Sequence, residues 1–237
     1  MLVTPEIQAK FDQAQKIVFM TGAGVSTLSG IPDYRSKNGI YNGVTMQPEY
    51  LLSATAFARE PEKQYQFMKD NMYFPDAKPN VIHEKMAQLC QAGKAKIITQ
   101  NVDDLHVKAQ TPVERLIRFH GSLYDIYAPV DGFDGPRTDY REYLKSMYRA
   151  SDHAKLRPNI TFYEEMPFDV DKSAQWVADA DLLVVVGTSF RVYPFAGLLQ
   201  YANPNAQIMA VNLEHIDTPF AVEQVIGDAG EFFQELK

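Results

Sequence analysis

Cysteine and long hydrophobic segments are both scarce in this sequence of 237 residues. The single cysteine, Cys90, excludes a disulfide within the chain and any zinc site that needs two or four of its cysteines. The longest apolar runs, such as "LLVVVG" at 182–187, are far shorter than the roughly 20 residues of a membrane span. The opening "MLVTPEIQAK" also lacks a signal-peptide pattern. We therefore expect a cytoplasmic protein with no membrane partner.

Positive charge is also in short supply. The chain has 23 Lys and Arg against 30 Asp and Glu, which gives a net charge of −7 with neutral histidines. Nucleic-acid binding needs clustered Lys and Arg to neutralise phosphates, so we predict no nucleic-acid partner. The five histidines include no pair at the helical spacing of metal ligands, and we predict no metal site.

Hydrophobic residues make up 46% of the chain, enough for one sizeable core. Short apolar segments rich in β-branched residues alternate with helix-like segments, which is typical of a doubly wound α/β fold with a parallel sheet. The predicted strands are 16–21, 95–100, 114–120, 181–188 and 206–212, and the predicted helices include 4–15, 79–93 and 173–180.

Two segments interrupt this alternation. Residues 41–75 are dense in aromatic residues and helix formers, and residues 128–157 contain the charged segment "REYLKSMYRA", which we predict to be a helix. Both are interpreted as insertions that pack together as a smaller lobe beside the sheet.

The segment "TGAGVSTLSGIPDYRS" (21–36) follows the first predicted strand. Gly22 and Gly24 match the first two glycines of G-x-G-x-x-G, but Thr27 occupies the third position. No acidic residue closes a second strand about 20 positions later, which disfavours an ordinary dehydrogenase. Two interpretations stay open here: a glycine turn without a ligand, or an anion site formed by backbone NH groups, the hydroxyls of residues 26, 27 and 29, and Arg35.

Polar residues or glycines follow the other predicted strands as well. Each has a structural alternative: Asp103 or Asp104 can cap a helix, and a lone histidine such as His120 is often structural. The carboxyl ends of parallel strands meet at one edge of a sheet, so we predict a single ligand crevice there. Its candidates are Gln100, Asn101, Asp103, His120, Gly187, Thr188, Ser189 and Asn212.

Taken together, these segments resemble the sirtuin family of NAD-dependent protein deacylases. The resemblance rests on "GAGVSTLSGIPDYRSKNGIY", "TQNVDDLH", "FHGSL", "LRPNITFYEEMP", "GTSFRVYPFAG", "VNLE" and "VIGDAGEFFQEL", in this order. It implies a Rossmann-like large lobe and a small lobe formed by two insertions. The large lobe would comprise 1–33, 76–123 and 158–237, and the insertions would be 34–75 and 124–157.

The resemblance also implies the chemistry. NAD would be a co-substrate, and the acyl group of an acyl-lysine protein or peptide would pass to ADP-ribose as nicotinamide leaves. His120 would act as the general base, with Asn101 and Asp103 as the other catalytic residues. The residues implied in cofactor binding are Gly22, Ala23, Gly24, Ser26, Ile31, Asp33, Tyr34, Arg35, Gln100, Gly187, Thr188, Ser189 and Asn212. Among them, Ala23 and Ile31 would join Asn101 and Asp103 around nicotinamide, and Tyr34 would shield the reacting ribose from water.

The sequence departs from the family pattern at three places. The family usually carries two Cys-x-x-Cys pairs in the second insertion, but this chain has no cysteine there, so no zinc is expected. Apolar contacts should hold that insertion instead. In "TFYEEMP", Glu164 replaces a glycine of the peptide-binding loop, which puts the usual peptide geometry in doubt. Met68 and Asn71 replace a Tyr-x-x-Arg pair, which favours a neutral acyl chain. The residues expected to hold the insertion are Phe133, Tyr140, Tyr143, Leu144, Met147 and Tyr148.

Two alternatives to deacylation stay open. The same fold could hydrolyse NAD or transfer ADP-ribose, or it could bind NAD without catalysis; the combination of His120, Asn101 and Asp103 disfavours the last.

Overall fold

The computed structural model describes residues 1–34, 39–40 and 47–237. Within that part, the β-strands are β1 (Ile17–Thr21), β2 (Ala95–Thr99), β3 (Leu116–Arg118), β4 (Gly121–Tyr127), β5 (Arg137–Thr138), β6 (Arg157–Ile160), β7 (Leu182–Val186), β8 (Gln207–Asn212) and β9 (Glu223–Ile226). The α-helices are α1 (Pro5–Gln13), α2 (Pro48–Leu51), α3 (Ala54–Arg59), α4 (Pro61–Asn71), α5 (Val81–Gln91), α6 (Leu105–Lys108), α7 (Tyr140–Tyr143), α8 (Val170–Asp179) and α9 (Ala229–Glu235). None of the described helices is long and apolar enough to cross a membrane.

Six strands form one parallel sheet in the order β3-β2-β1-β7-β8-β9. From β1 the chain adds β2 and β3 on one side of the sheet. It then returns to place β7 on the other side of β1, followed outward by β8 and β9. This is the strand order of the Rossmann fold, and it confirms the predicted fold class. In such sheets ligands bind beside the carboxyl ends of the strands at the reversal, which here lies between β1 and β7.

The sheet is covered by helices on both faces. Successive side chains of β1 point to opposite faces, so Ile17 and Phe19 pack on one side while Val18 and Met20 pack on the other. The first side is covered by α1, α5 and α9, whose Phe11, Phe232 and Phe233 make ring contacts with Phe19 or with one another. The second is covered by α8 and the 3-10 helix Ala196–Tyr201. Burial on both faces explains why these strands are continuously apolar.

Local sequence fixes where the covering helices begin. The Thr4 hydroxyl accepts a hydrogen bond from the Ile7 amide, and Pro5 opens α1. Asn80 and His83 form a reciprocal capping box at the start of α5. The predicted helices before β1 and β2 are thus confirmed, with shorter bounds than predicted.

Strand β9 was not among the predicted strands. It lies at the edge of the sheet, and only Val225 of its four residues is buried. An edge strand with one buried residue has no apolar run, so its sequence carries no signal that marks it as a strand of this sheet.

The remaining strands form an antiparallel sheet in the order β5-β4-β6. The predicted lobe boundaries at 123/124 and 157/158 fall inside β4 and β6. The antiparallel sheet itself begins at Gly121, directly after His120. The first insertion contributes α2, α3 and α4. Its Leu52, Met68 and Met72 pack with Leu123 and Phe162, which joins the small lobe to the ends of the main sheet.

The prediction of a helix over "REYLKSMYRA" was wrong beyond its first turn, because α7 ends at Tyr143. The chain then turns so that the Met147 carbonyl accepts a hydrogen bond from the Leu156 amide, which a continuing helix would prevent. Tyr143 and Met147 enter one core with Leu156, as predicted, and Tyr140 and Tyr148 pack against it. Phe133 lies outside this core: it is 52% exposed and contacts Tyr127 and Phe168.

Candidate active site

Two glycine turns meet at the reversal of the sheet. The Gly24 amide donates to the Gly187 carbonyl at 2.7 Å, and the Gly22 amide donates to the carbonyl of Val186. A Cβ at Gly24 would lie 2.8 Å from the Gly187 backbone, and Gly187 itself has a φ of 61°. Glycine is therefore required here for close backbone packing, and that packing brings the ends of β1 and β7 together.

The three hydroxyls of the segment after β1 have hydrogen-bond partners within the protein. The buried Ser26 hydroxyl donates to the Asp103 carboxylate at 2.7 Å and accepts from the Asn101 side-chain amide at 3.1 Å. Thr27 donates to the Gly24 carbonyl, and Ser29 accepts from Asn80. The bonds of Ser26 and Ser29 hold the 3-10 helix Ala23–Ser29 against the loop after β2 and the start of α5. That these hydroxyls also face an anion stays a prediction.

Asp103 is a buried carboxylate with a defined position. Its second oxygen accepts from the Leu105 amide at 2.9 Å, which starts α6. Burial raises the pKa of Asp103, while the bonds from Leu105 and Ser26 act in the opposite direction. The Asn101 amide group also donates to the Gly22 carbonyl at 3.0 Å. The end of β2 is thus tied to the glycine turn after β1.

His120 follows β3 and lines the cleft. Its Nδ1 lies 3.2 Å from the Gln100 carbonyl oxygen, a contact that orients the ring. Burial lowers the pKa of His120 to about 4, so the imidazole is neutral at pH 7. This pKa is below that of a free imidazole, because burial of the ring, which contacts Phe119, disfavours its charged form. A neutral imidazole at this point can accept a proton.

A chain of hydrogen bonds continues across the sheet. The Gln100 amide donates to the Thr188 hydroxyl at 3.2 Å, and the Thr188 backbone amide donates to the Asn212 side chain at 2.9 Å. The carboxyl ends of β2, β7 and β8 are therefore joined by their polar side chains, as the sequence pattern predicts.

Nearly all the residues predicted for the ligand crevice line either a cleft of about 630 Å³ or a small side cavity of about 30 Å³. The cleft is lined by Gly22, Ala23, Gly24, Asp33, Tyr34, Gln100, Asn101, His120, Gly187, Thr188, Ser189 and Asn212. The side cavity is lined by Ala23, Ser26, Ile31, Tyr34, Asn101 and Asp103. Arg35 lies outside the described residues. Five residues border both spaces, so the two adjoin; they are Ala23, Tyr34, Met72, Asn101 and Val102.

A profile of the Sir2 family matches residues 22–194, which include both glycine turns and His120. The chain belongs to the Sir2 family. Among its relatives, an NAD-dependent protein deacetylase of Lactiplantibacillus plantarum is 51% identical over 232 residues, 97% of each chain. An NAD-dependent protein deacetylase of Listeria innocua is 48% identical over 226 residues, 94% of this chain and 96% of that one.

Solved Sir2 structures agree over nearly the whole chain. One holds a deacetylated p53 peptide and 3′-O-acetyl-ADP-ribose; it is 29% identical, covers 97% of this chain and 95% of its own, and has a TM-score of 0.84. A mutant Sir2 homologue in complex with ADP-ribose is 30% identical, covers 98% of this chain and 94% of its own, and has a TM-score of 0.85.

Glu164 takes the backbone conformation of a glycine in this Sir2 family member. Its φ is 77°, in the left-handed region that L-residues rarely adopt. Its carboxylate accepts two hydrogen bonds from Thr55 on α3, from the amide at 3.0 Å and from the hydroxyl at 2.7 Å. Backbone pairing beside it joins Tyr163 to Leu52 and Ala54. Glu164 therefore occupies a left-handed turn and ties the loop to the first insertion.

Several cleft residues were missed in the sequence. Glu214 follows β8, and Gly227, Asp228 and Gly230 follow β9. Since β9 was not predicted, its carboxyl end could not be placed at the crevice. A usable signal did exist, because Asp228 caps α9 by accepting from the Glu231 amide, a pattern that marks a helix start.

Proposed function

We propose that this chain is an NAD-dependent protein-lysine deacetylase that transfers the acyl group to ADP-ribose and releases nicotinamide. The observation that carries the proposal is the convergence of His120, Asn101 and Asp103 with the two glycine turns in one cleft at the reversal of the sheet. The two relatives named NAD-dependent protein deacetylases support the proposal, because they are 51% and 48% identical to this chain over nearly its whole length.

The glycine turns would bind the pyrophosphate of NAD. Gly22 and Gly24 have no side chains and Ala23 adds only a methyl group, so the turn, which opens onto the cleft, allows close approach to its backbone. Arg35 would add a charge-assisted contact, and Gly187, Thr188, Ser189 and Asn212 would hold the adenosine half.

The side cavity is the proposed nicotinamide site. Asp103 and Asn101 offer a carboxylate and an amide that can bond a carboxamide, and Ala23 and Ile31 form apolar walls. At about 30 Å³ the cavity is smaller than a nicotinamide ring, so its walls must separate when the ring enters. Tyr34, which borders both spaces, would then shield the reacting carbon from water.

His120 would take the proton from a ribose hydroxyl. With a pKa of about 4 it is unprotonated at neutral pH, and the Gln100 carbonyl fixes the ring orientation. Before that step, the carbonyl oxygen of the acyl-lysine would attack the ribose carbon as its bond to nicotinamide breaks. The deprotonated ribose hydroxyl would then attack the acyl carbon, the bond from that carbon to the lysine nitrogen would break, and one water molecule would complete the release of acyl-ADP-ribose and free lysine. Met68 is buried and Asn71 donates to the Phe67 carbonyl, so neither offers a cation to an acidic acyl chain, and we propose a neutral acyl group.

Nicotinamide release measured with NAD, with and without an acetyl-lysine peptide, tests the activity. Release that depends on the peptide is the expected result. Release without the peptide would instead favour NAD hydrolysis or ADP-ribosylation, and no release in either condition would contradict an enzymatic role.

Three further proposals concern the whole protein. We propose that it divides into the two lobes given above, that it is cytoplasmic without nucleic-acid or membrane partners, and that it holds no structural zinc. The acidic net charge of −7 supports the absence of a nucleic-acid surface. Metal analysis of the purified protein tests the zinc proposal, and stoichiometric zinc would contradict it.

A further inference from the structure

In the small lobe, Arg149 bonds two carboxylates that come from different turns. Its Nη1 donates to Asp131 at 2.5 Å, and its Nε donates to Asp152 at 2.8 Å, while Nη2 contacts both aspartates. Only 18% of the Arg149 side chain and 25% of the Asp131 side chain are exposed, whereas 50% of the Asp152 side chain is exposed. The guanidinium is thus enclosed between two carboxylates.

Each of the two turns is closed by a backbone hydrogen bond, which spans three residues in the first turn and four in the second. The Asp131 amide donates to the Ala128 carbonyl in the turn after β4, and the His153 amide donates to the Arg149 carbonyl in the turn before β6. Each turn therefore presents two positions separated by two residues: 128 and 131 on one, 149 and 152 on the other. Two such pairs on facing turns are the arrangement from which structural zinc sites are built.

The side chains at these four positions do not fit a zinc ion. Ala128 has no donor atom, and Arg149 is always positively charged, so only two carboxylates remain. Across the described residues, no group of three or more His, Cys, Asp or Glu could hold a metal. The point where a metal would lie is taken by a cationic side chain.

We propose that the Arg149 guanidinium replaces a structural zinc ion as the cross-link between the turn 128–131 and the turn 149–154. Its planar fork bonds Asp131 in the other turn through Nη1 and Nη2, and Asp152 in its own turn through Nε and Nη2. One side chain therefore fixes the two turns relative to each other in distance and direction. The apolar core beneath completes the replacement, because the buried Ala128 packs there with Met147 and Leu156. The inference rests on the zinc-free small lobe proposed above and is independent of the deacetylase activity.

The cross-link connects the end of β4 to the start of β6, because the turn 128–131 follows β4 and the turn 149–154 precedes β6. The near end of β4 follows His120, and β6 leads into the loop that carries Glu164. Loosening this end would therefore loosen the sheet that connects the two sides of the cleft.

A double-mutant cycle tests the cross-link. Arg149→Met, Asp131→Asn and the double variant would be compared by hydrogen exchange of the amides in 128–131 and 149–154. We expect faster exchange in each single variant and no further increase in the double variant, since either change breaks the same contact. Arg141→Met is the matched control, because its pair with Asp139 is 69% and 52% exposed, and it should leave these amides unchanged. Unchanged exchange in Arg149→Met, or fully additive effects, would overturn the proposal.

A second experiment tests the equivalence to a metal site. The variant with Ala128→Cys, Asp131→Cys, Arg149→Cys and Asp152→Cys should bind about one zinc ion per chain in tetrahedral geometry. A control with only Arg149→Cys and Asp152→Cys should bind zinc far more weakly, since it offers half the ligands. Failure of the folded four-cysteine variant to bind zinc refutes the equivalence, and if that variant does not fold, the double-mutant cycle decides. Zinc in the unmodified protein would refute the zinc-free lobe itself, which is a different result.

Discussion

At the scale of single residues, the site depends on buried polar groups that hold one another. Ser26 satisfies both Asp103 and Asn101, although the sequence suggested only that its hydroxyl would face a ligand. Its burial explains the difference, since a buried carboxylate needs hydrogen-bond donors. The glycine-rich segment thus also holds the Asp103 carboxylate and the Asn101 amide beside the side cavity.

The Ser26→Ala variant should weaken activity through Asp103. It removes a hydrogen bond to a buried charged group, worth about 1.5–3 kcal/mol, so we expect kcat/KM to fall by roughly 10-fold to 100-fold. Steady-state deacetylation kinetics give the value. Thr27→Val is the control, because Thr27 bonds only within its own turn and is exposed. Equal effects of the two variants would show that the Asp103 bond has no special role.

The His120→Ala variant should lose most of its turnover. Removal of a general base typically costs about 10²- to 10⁴-fold in rate, and we expect kcat for an acetyl-lysine peptide to fall within that range. His153→Ala in the small lobe, where His153 stacks on Tyr148, should retain activity. Normal turnover in His120→Ala would refute the assignment of the base.

At the scale of elements, Glu164 shows how a loop keeps its shape with a different residue. Its left-handed backbone costs about 1–2 kcal/mol relative to glycine, and the two bonds from Thr55 offset that cost. These bonds also tie the loop 161–165 to α3. The sequence raised only the question of how a peptide would fit beside Glu164, while the contact to α3 follows only from the tertiary structure.

Two substitutions at Glu164 distinguish the effect of its left-handed backbone from the effect of its carboxylate. Glu164→Ala keeps the strained φ and loses the bonds to Thr55, so we expect a higher KM for the peptide. Glu164→Gly also loses those bonds but adopts this φ freely, so its KM should rise less. Peptide titrations at saturating NAD provide both values. A larger rise in Glu164→Gly than in Glu164→Ala would contradict the backbone explanation and favour a direct role of the carboxylate.

At the scale of the whole molecule, three histidines are held neutral. Burial lowers the pKa of His83 and of His120 to about 4, and burial with the neighbouring His83 lowers the pKa of His106 well below its usual value. His83 and His106 lie with ring centroids 4.8 Å apart beneath the glycine turn. In the unfolded chain these groups would take up protons near pH 6.5.

The free energy of unfolding should therefore fall as the pH is lowered from about 6.5 towards 4. In this range the unfolded chain binds more protons than the folded one, and each neutral histidine contributes up to about 1.4 kcal/mol per pH unit. Denaturant unfolding at several pH values measures the slope. His83→Gln, which keeps a capping-box residue at the start of α5, should reduce the slope. A slope that is unchanged in this variant would show that His83 is not held neutral.

The sequence by itself determined the doubly wound sheet, its buried strands and the edge of the sheet where the polar residues after the strands line one cleft. It could do so because buried parallel strands are continuously apolar, and because the polar residues that follow them necessarily share one end of the sheet. The resemblance of its motifs located the family, which the comparisons confirm.

Only the tertiary structure decided which groups pair. Some of these features lie at the surface, where one side faces solvent: edge strand β9, the antiparallel sheet and the short α7. Others join residues that are far apart in the chain, as the bond from Ser26 to Asp103 and the contact of Arg149 with Asp131 do. Such elements carry no apolar period, and the charge of a side chain gives no sign of its partner until folding brings the two turns together. This is why the missing cysteines were visible in the sequence and the guanidinium between two carboxylates was not.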